Sequence, residues 1–177
     1  MIESRKILYP YGKNDECYTP DYAVEPILKY IPKDTIVWCP FDTEESNFVQ
    51  LFRRDGFKII NSHISTGQDF YSYEPDKWDI IISNPPFTNK RKIFERALSF
   101  NKPFALLMNV VWLNDRFSKM VYKNADRNMQ LLLLDKRVKY IKPDGSIENK
   151  ITFNSSYFCC DLLPRDIIIE EINDKAT

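Results

Sequence analysis

A four-residue loop, Asn84-Pro85-Pro86-Phe87, carries the side chains best suited to chemistry in this chain. Its two prolines fix φ at successive positions and remove two backbone donors, so the loop has one extended shape. The Asn84 amide oxygen and the Pro85 carbonyl oxygen are then two acceptors beside the Phe87 ring. This set suits a planar amine such as the exocyclic NH2 of adenine, which would donate two hydrogen bonds while its ring stacks on Phe87. The structural alternative is a Pro-Pro turn that ends a core strand, with Phe87 packed inward.

The segment before the loop, residues 79–83, contains three consecutive isoleucines, a pattern typical of a strand covered on both faces in a parallel sheet. This strand and the loop together resemble the catalytic region of S-adenosylmethionine-dependent amino-group methyltransferases of the N6-adenine type, in a small, phage-like, single-domain form. The resemblance extends over most of the chain. It implies that Asn84 and Pro85 accept hydrogen bonds from the target amine, that Pro86 completes the catalytic motif, and that Phe87 stacks on the flipped-out base.

The turn after the first predicted strand is the place where this chain departs from the family. The family turn normally reads acid-Pro-Phe-x-Gly-x-Gly, and its glycines let the backbone approach the cofactor. By resemblance, the residues that would contact S-adenosylmethionine here are Cys39, Pro40, Phe41 and Asp42. The acid has become Cys39, and the two glycines have become Thr43 and Glu45. Either the pocket is wider and Asp42 or Glu44 holds the methionine ammonium, or the cofactor no longer binds.

Three further segments match cofactor-binding positions of the family. By resemblance, they are Tyr18, Thr19 and Pro20 at the methionine end, Asn61 at the ribose, and Asp69 with Phe70 at the adenine. The family usually has an acid near Asn61, whose neighbours here, Ser62 and His63, also form hydrogen bonds. The structural alternatives are a helix capped by Thr19, a capping Asp69 and a core Phe70.

Alternating strand and helix patterns predict an α/β fold with a doubly wound, mainly parallel sheet, that is, a Rossmann-like class I methyltransferase fold. Strands are predicted over residues 35–39, 57–61, 79–83, 104–108, 130–134 and 155–160, and helices over 46–54, 91–99 and 112–123. In such a sheet the ligand lies at the carboxyl ends of the strands, where the candidate residues fall.

Local signals predict several element ends. Thr19 and Pro20 would begin a first helix that Pro26 interrupts, and Asp42 with Glu45 fits a capping box for the helix over 46–54. Gly56 would end that helix in the left-handed conformation. Residues 1–17 are expected to form an arm, 142–146 a turn and 167–177 a frayed tail.

Length and composition predict one domain over residues 1–177, with no room for a separate DNA-recognition domain. Target recognition would then be loose or supplied by a partner subunit. The chain has no apolar run that could span a bilayer and no signal-peptide core at its start, so a cytoplasmic location is expected. With 25 basic and 25 acidic residues, contact with nucleic-acid phosphates must come from local clusters. The candidates are residues 90–92 and 136–142, each of which is alternatively a solvated surface.

The remaining motifs exclude several kinds of site. The four cysteines form no CxxC pair, and His63 is the only histidine, so no metal site is predicted. No cysteine lies in the catalytic loop, as a C5-cytosine mechanism would need. With four glycines and no GxxxxGK[ST] segment, the chain has no phosphate cradle of the kinase type.

Two functional hypotheses follow. The first is an adenine-N6 methyltransferase that acts on DNA, with an amine in RNA or protein as a related substrate. The second is a methyltransferase-fold binding module that lacks catalysis because its cofactor turn is degenerate. The intact Asn84-Pro85-Pro86-Phe87 loop favours the first, and Thr43 with Glu45 favours the second.

Overall fold

The computed structural model describes residues 17–142, 144–148 and 153–173. These residues form a seven-stranded sheet. Its strands are β1 (Ile36–Cys39), β2 (Lys58–Asn61), β3 (Ile80–Ser83), β4 (Phe104–Asn109), β5 (Met129–Leu134), β6 (Ser155–Cys160) and β7 (Ile167–Glu170). The order across the sheet is β2-β1-β3-β4-β6-β5-β7, and β6 alone runs antiparallel to its neighbours β4 and β5. The predicted mainly parallel sheet is confirmed, and its order is consistent with a Rossmann-like class I methyltransferase fold.

Helices cover both faces of the sheet, as the doubly wound prediction requires. They are α1 (Asp21–Leu28), α2 (Asn47–Arg54), α3 (Lys90–Ser99) and α4 (Arg116–Asn124), with short 3-10 turns at Ile64–Thr66 and Val110–Asn114. Side chains alternate along each strand, so β1 sends Val37 and Cys39 into the core under α1 and α2 and sends Trp38 into the core under α3. The central strands of the sheet are therefore apolar and buried on both faces, whereas the outer strand β7 exposes Ile167 and Ile169.

Helix α2 begins and ends close to the predicted positions, but its predicted cap is wrong. Ser46, not Asp42, is the N-cap, and its hydroxyl oxygen accepts a hydrogen bond from the Phe48 backbone N–H at 3.3 Å. Asp42 lies before the N-cap and does not cap the helix. Its buried carboxylate accepts hydrogen bonds from two serine hydroxyls instead. Gly56 follows the helix with φ of 83°, which confirms the predicted left-handed end.

Helix α1 differs from its prediction in two ways. It begins one residue later than expected, with Pro20 at the N-cap position and no side-chain cap, because the Thr19 hydroxyl bonds elsewhere. Pro26 does not split the helix, although the helix ends two residues later, at Leu28. A proline in the second turn removes only one helical hydrogen bond, and the buried face formed by Ala23, Val24 and Ile27 keeps the turn in place.

The second half of the chain corrects two further predictions. The helix predicted over 112–123 is divided at Asp115, whose carboxylate accepts from the Phe117 N–H at 2.8 Å and starts α4. Within the tail predicted to fray, Ile167–Glu170 forms β7, which pairs in parallel with β5, and residues 174–177 lie outside the described residues. Residues 1–16 of the predicted arm and Pro143 of the predicted turn lie outside the described residues, while Gly145 has φ of 83° as a turn requires. Among the described helices, none is long and apolar enough to cross a membrane.

Candidate active site

β1 and β3 are parallel neighbours, so the turn that follows β1 and the predicted catalytic loop that follows β3 lie together at the carboxyl-terminal end of the sheet. A cavity of about 120 Å³ lies between them. It is lined by Cys17, Tyr18, Thr19, Phe41, Asp42, Thr43, Ser46, His63 and Asn84. Residues from four separate parts of the sequence therefore meet at the position where a doubly wound sheet binds its ligand.

Asn84 is one of the residues that line this cavity. Its amide nitrogen donates a hydrogen bond to the Thr19 hydroxyl at 3.0 Å. Its amide oxygen Oδ1 is buried, and no described residue donates to it. Three other buried side-chain atoms in the described part of the chain also lack a partner, on Arg96, Ser118 and Arg127, but none of these residues lines the cavity. Since an unsatisfied buried acceptor costs free energy, Oδ1 is suited to receive an N–H from a ligand.

Thr19 holds the Asn84 amide because Thr19 is itself fixed. Its carbonyl oxygen accepts from the Asn47 amide nitrogen at 2.8 Å, at the start of α2. The preceding residue, Tyr18, exchanges two backbone hydrogen bonds with Ile141, of 2.7 Å and 3.0 Å. The Thr19 side chain is 7% exposed. Residues 18–20, which were predicted to contact the cofactor, therefore orient the Asn84 side chain through Thr19.

Asp42 is the buried charge of the site. Its carboxylate accepts hydrogen bonds from the Ser46 and Ser83 hydroxyls, and its side chain is 6% exposed. Burial raises the pKa of Asp42 to about 6, while the two serine hydrogen bonds oppose that rise. Asp42 N–H also donates to the Ser62 carbonyl oxygen at 3.2 Å, which ties the turn after β1 to the end of β2. Near neutral pH this carboxyl is close to its titration range.

Glu44, the second carboxylate in the turn after β1, contacts helix α2 and does not line the cavity. Glu44 forms an ion pair with Arg53 of α2, and its backbone carbonyl accepts from the Gln50 side chain at 2.6 Å. Glu44 and Glu45 are exposed and do not line the cavity, whereas Thr43 does. Of the two carboxylates considered for the methionine ammonium, only Asp42 is in a position to contact a ligand there.

Phe87 does not pack into the core. Its side chain is 38% exposed. Its ring makes edge-to-face contacts with Phe153 at 5.1 Å and with Tyr140 at 6.2 Å between ring centroids. These contacts fix the ring from the side and leave part of it open to solvent, which is the environment a stacking platform needs.

The other predicted cofactor residues lie behind or beside the cavity. Cys39 and Pro40 are buried beneath it, and Asn61 donates to the Asp42 carbonyl oxygen at 3.4 Å. Asp69 accepts from the Tyr71 N–H at 3.0 Å, and Phe70 is 2% exposed. The capping and core contacts named as alternatives for Asp69 and Phe70 are thus present, while Phe70 also packs on the cavity residue Phe41 at 4.8 Å.

Sequence reasoning missed the serines that surround Asp42. Ser46 was assigned only to the start of a helix, and Ser83 only to the end of a strand. The available signal was the change from isoleucine to serine at Ser83, which is fully buried and would not be polar without a partner. Cys17 and His63 also line the cavity. No cluster of three His, Cys, Asp or Glu residues suited to a metal ion occurs in the described ranges.

No protein-family model and no curated protein matches this sequence. Among solved structures, the chain is similar to a dimethyladenosine transferase from Plasmodium falciparum, with 11% identity and a TM-score of 0.43 over 81% of this chain and 62% of that one. It is also similar to a predicted O-methyltransferase from Agrobacterium tumefaciens, with 9% identity and a TM-score of 0.39 over 85% of this chain and 84% of that one. The chain thus spans less than two thirds of the length of the first structure. Because both TM-scores are below 0.5, the fold assignment rests on the strand order described above.

Proposed function

We propose that this protein transfers a methyl group from S-adenosylmethionine to the exocyclic N6 amine of adenine in nucleic acid, with DNA favoured over RNA. The observation that carries the proposal is the Asn84 side chain, whose Oδ1 is a buried acceptor without a donor among the described residues. Its amide nitrogen is held by Thr19, so the oxygen is oriented before any ligand binds. The exposed Phe87 ring lies three residues further along the same loop.

Chemically, the adenine amine is a weak nucleophile because its lone pair is delocalised into the ring. Two acceptors, Asn84 Oδ1 and the Pro85 carbonyl oxygen, would bind its two protons and favour a pyramidal nitrogen with the lone pair directed forward. Phe87 would stack on the flipped-out base and hold that direction. Catalysis by these residues consists of positioning and electrostatics, without a covalent enzyme intermediate. When bound, S-adenosylmethionine would supply the electrophilic methyl group. The N–C bond would form as the S–C bond breaks, S-adenosylhomocysteine would leave, and the methylated amine would lose one proton to solvent.

The residues around the cavity fit one end of that cofactor. Aromatic rings from Tyr18 and Phe41, with the carboxyl of Asp42, suit the cationic sulfonium and ammonium of the methionine end. The cavity of about 120 Å³ is smaller than the roughly 300 to 1,000 Å³ of typical ligand pockets, so the adenosine would lie outside it. We assign Thr19 to the wall of the methionine end, with the buried Pro20, Cys39 and Pro40 supporting that end from behind, and Asn61, Asp69 and Phe70 to the adenosine side.

A non-catalytic binding module is the second candidate function. Two observations favour it: the small cavity, and the exposed glutamates in a turn where glycines would allow close approach of a cofactor. Under this hypothesis the Asn84 loop binds an amine without transferring a methyl group. In either case we propose cytoplasmic action, with target recognition either loose or supplied by a partner subunit.

Calorimetric titration with S-adenosylmethionine and S-adenosylhomocysteine separates the two candidates. Micromolar binding of both ligands is expected for the methyltransferase, followed by transfer of a labelled methyl group to adenine-containing oligonucleotides. A folded protein that binds neither ligand would leave the binding module as the function. Binding without transfer to DNA, together with transfer to RNA, would correct only the substrate.

A further inference from the structure

A second and larger concavity lies beside the catalytic loop. Its volume is about 670 Å³, and we call it the α3/α4 groove. It is lined by Phe87, Asn89, Lys90, Arg91, Trp112, Asp115, Arg116, Phe117 and Met120. Phe87 belongs both to this groove and to the catalytic loop, so a ligand in the groove would reach the side chain proposed to stack on the target base.

The groove carries an excess of positive charge in a chain with no net charge. It contains three cations, Lys90, Arg91 and Arg116, and the carboxylate of Asp115. Arg91 is already paired with Glu95 at 2.9 Å, so Lys90 and Arg116 are the cations that remain for a ligand. Asp115 already caps α4 through the Phe117 N–H. Within residues 17–142, 144–148 and 153–173, neither Lys90 nor Arg116 lies within ion-pair distance of a carboxylate. Burial lowers the pKa of the half-buried Lys90, and the charge of Asp115 opposes that shift. An anion in the groove would offset the cost of burying this ammonium.

The groove is also aromatic. Trp112 forms a rigid part of its wall, since it is 8% exposed and packs on Phe94 at 4.8 Å and Phe158 at 5.3 Å. The Arg91 guanidinium lies 4.8 Å from the centroid of the Phe117 ring. Met120 is 51% exposed at the rim. Cations interleaved with apolar and aromatic surfaces are the chemistry that binds unpaired nucleotides, with phosphates on the cations and bases on the rings.

The other basic segment predicted to contact phosphates, residues 136–142, lacks this arrangement. Lys136 donates to the Ile172 carbonyl oxygen at 3.1 Å, and Lys142 lies 3.9 Å from the Glu148 carboxylate. Two of its cations therefore have internal partners. The groove is the better candidate for phosphate contact, because its cations face an open volume next to the catalytic loop.

We propose that the α3/α4 groove binds a segment of single-stranded nucleic acid adjacent to the target adenine, with phosphates at Lys90 and Arg116 and a neighbouring base against Phe117 and Met120. The identity of the target base rests on the proposed function above. Binding in the groove does not require the cofactor or methyl transfer, so it is testable separately. This proposal explains how a chain with zero net charge holds a polyanion: the contact is local and lies beside the chemistry.

The test is fluorescence anisotropy without cofactor, using a labelled oligothymidine of about 12 nucleotides with one central adenine. The variant is Lys90→Gln with Arg116→Gln. The matched control is Lys58→Gln with Lys77→Gln, which also removes two cations, both of them exposed, but near the amino ends of β2 and β3, at the opposite end of the sheet from the groove. Melting temperatures of both variants verify the fold.

The groove variant should lose at least about tenfold in affinity at low salt, and its plot of log K against log salt should flatten by about 1.4, which is the loss of two single-strand phosphate contacts. The control should bind within about twofold of the wild type. Met120→Glu, which adds a carboxylate at the rim, should also weaken binding. If the groove variant loses affinity for an RNA of the same sequence in the same way, that result supports binding in the groove equally.

The proposal is overturned if the groove variant and the control bind alike. It is also overturned if a duplex of the same sequence binds more tightly than the single strand and depends equally on Lys90 and Arg116. Parallel titration with S-adenosylmethionine distinguishes this failure from that of the proposed function. Cofactor binding with an insensitive groove variant rejects only the groove, while groove-dependent binding without cofactor binding rejects only the methyltransferase.

Discussion

The loop after β3 and the turn after β1 lie at the same end of the sheet, yet they differ in whether their polar side chains have partners within the protein. Asn84 in the loop has a fixed amide and an acceptor without a donor among the described residues. In the turn, Asp42 and Glu44 are already engaged by protein groups, the two serines and Arg53. The loop that would bind the amine is therefore preorganised, whereas the carboxylates of the turn that would bind the cofactor already have partners within the protein.

The largest expected effect comes from removing the acceptor. Asn84→Ala should lower methyl transfer by about 100-fold or more, since removing one preorganised hydrogen-bonding group from a reacting centre has effects of that size. The melting temperature should fall only slightly, because Oδ1 has no donor among the described residues to lose and the amide nitrogen gives up one hydrogen bond, to Thr19. Transfer of a labelled methyl group to adenine-containing DNA measures the effect. The control is Asn124→Ala at the exposed end of α4. Retained transfer in Asn84→Ala would remove the loop from the mechanism.

The buried carboxyl of the turn should make stability depend on pH. Burial raises the pKa of Asp42 from 3.8 to about 6, so the folded state binds more protons than the unfolded state between these values. Its contribution to the free energy of unfolding therefore falls as pH rises from about 4 to 6, by on the order of 3 kcal/mol. Asp42→Asn should remove this dependence. Urea unfolding from pH 4 to 7 measures it, and parallel curves for the wild type and the variant would show that the Asp42 pKa is not raised.

A smaller effect is expected from removing the hydrogen bond between the loop after β3 and Thr19, which precedes α1. Thr19→Val keeps the side-chain shape but removes the hydroxyl that holds the Asn84 amide at 3.0 Å. We expect kcat to fall about tenfold, in line with a lost hydrogen bond at a buried polar group. Thr19→Ser, which retains the hydroxyl, should recover most of the rate. A valine variant with altered KM but unchanged kcat would show that Thr19 acts on ligand binding alone.

The smallest effect is expected from restoring a glycine to the turn. Thr43 lines the cavity, whereas Glu45 does not. Thr43→Gly should therefore increase the affinity for S-adenosylhomocysteine severalfold, since a glycine lets a ligand approach the backbone. Glu45→Gly is the matched control and should leave the affinity unchanged. Calorimetry on both variants decides whether the turn limits cofactor binding; equal affinities would show that it does not.

Local sequence signals predicted most of the fold. Ile80 to Ser83 was recognisable as a buried strand from its isoleucine run, and Gly56 as a helix end from its position after α2. The same reasoning failed for Pro26, because packing of the buried face of α1 outweighs the local penalty of the proline. It failed again for Ile167 to Glu170, since a short segment before a charged end becomes a strand only through pairing with β5.

The sequence by itself determined the restricted backbone of the Asn84-Pro85-Pro86-Phe87 loop and the end of the sheet at which it lies. Two prolines restrict the backbone of the loop, and parallel strands place their carboxyl ends together. Only the tertiary structure decided that Thr19 orients Asn84 across 65 residues of sequence, and that Ser46 and Ser83 enclose Asp42. Such contacts depend on the direction in which each side chain leaves its strand or turn. That direction is set by long-range packing, which no local pattern of residues records.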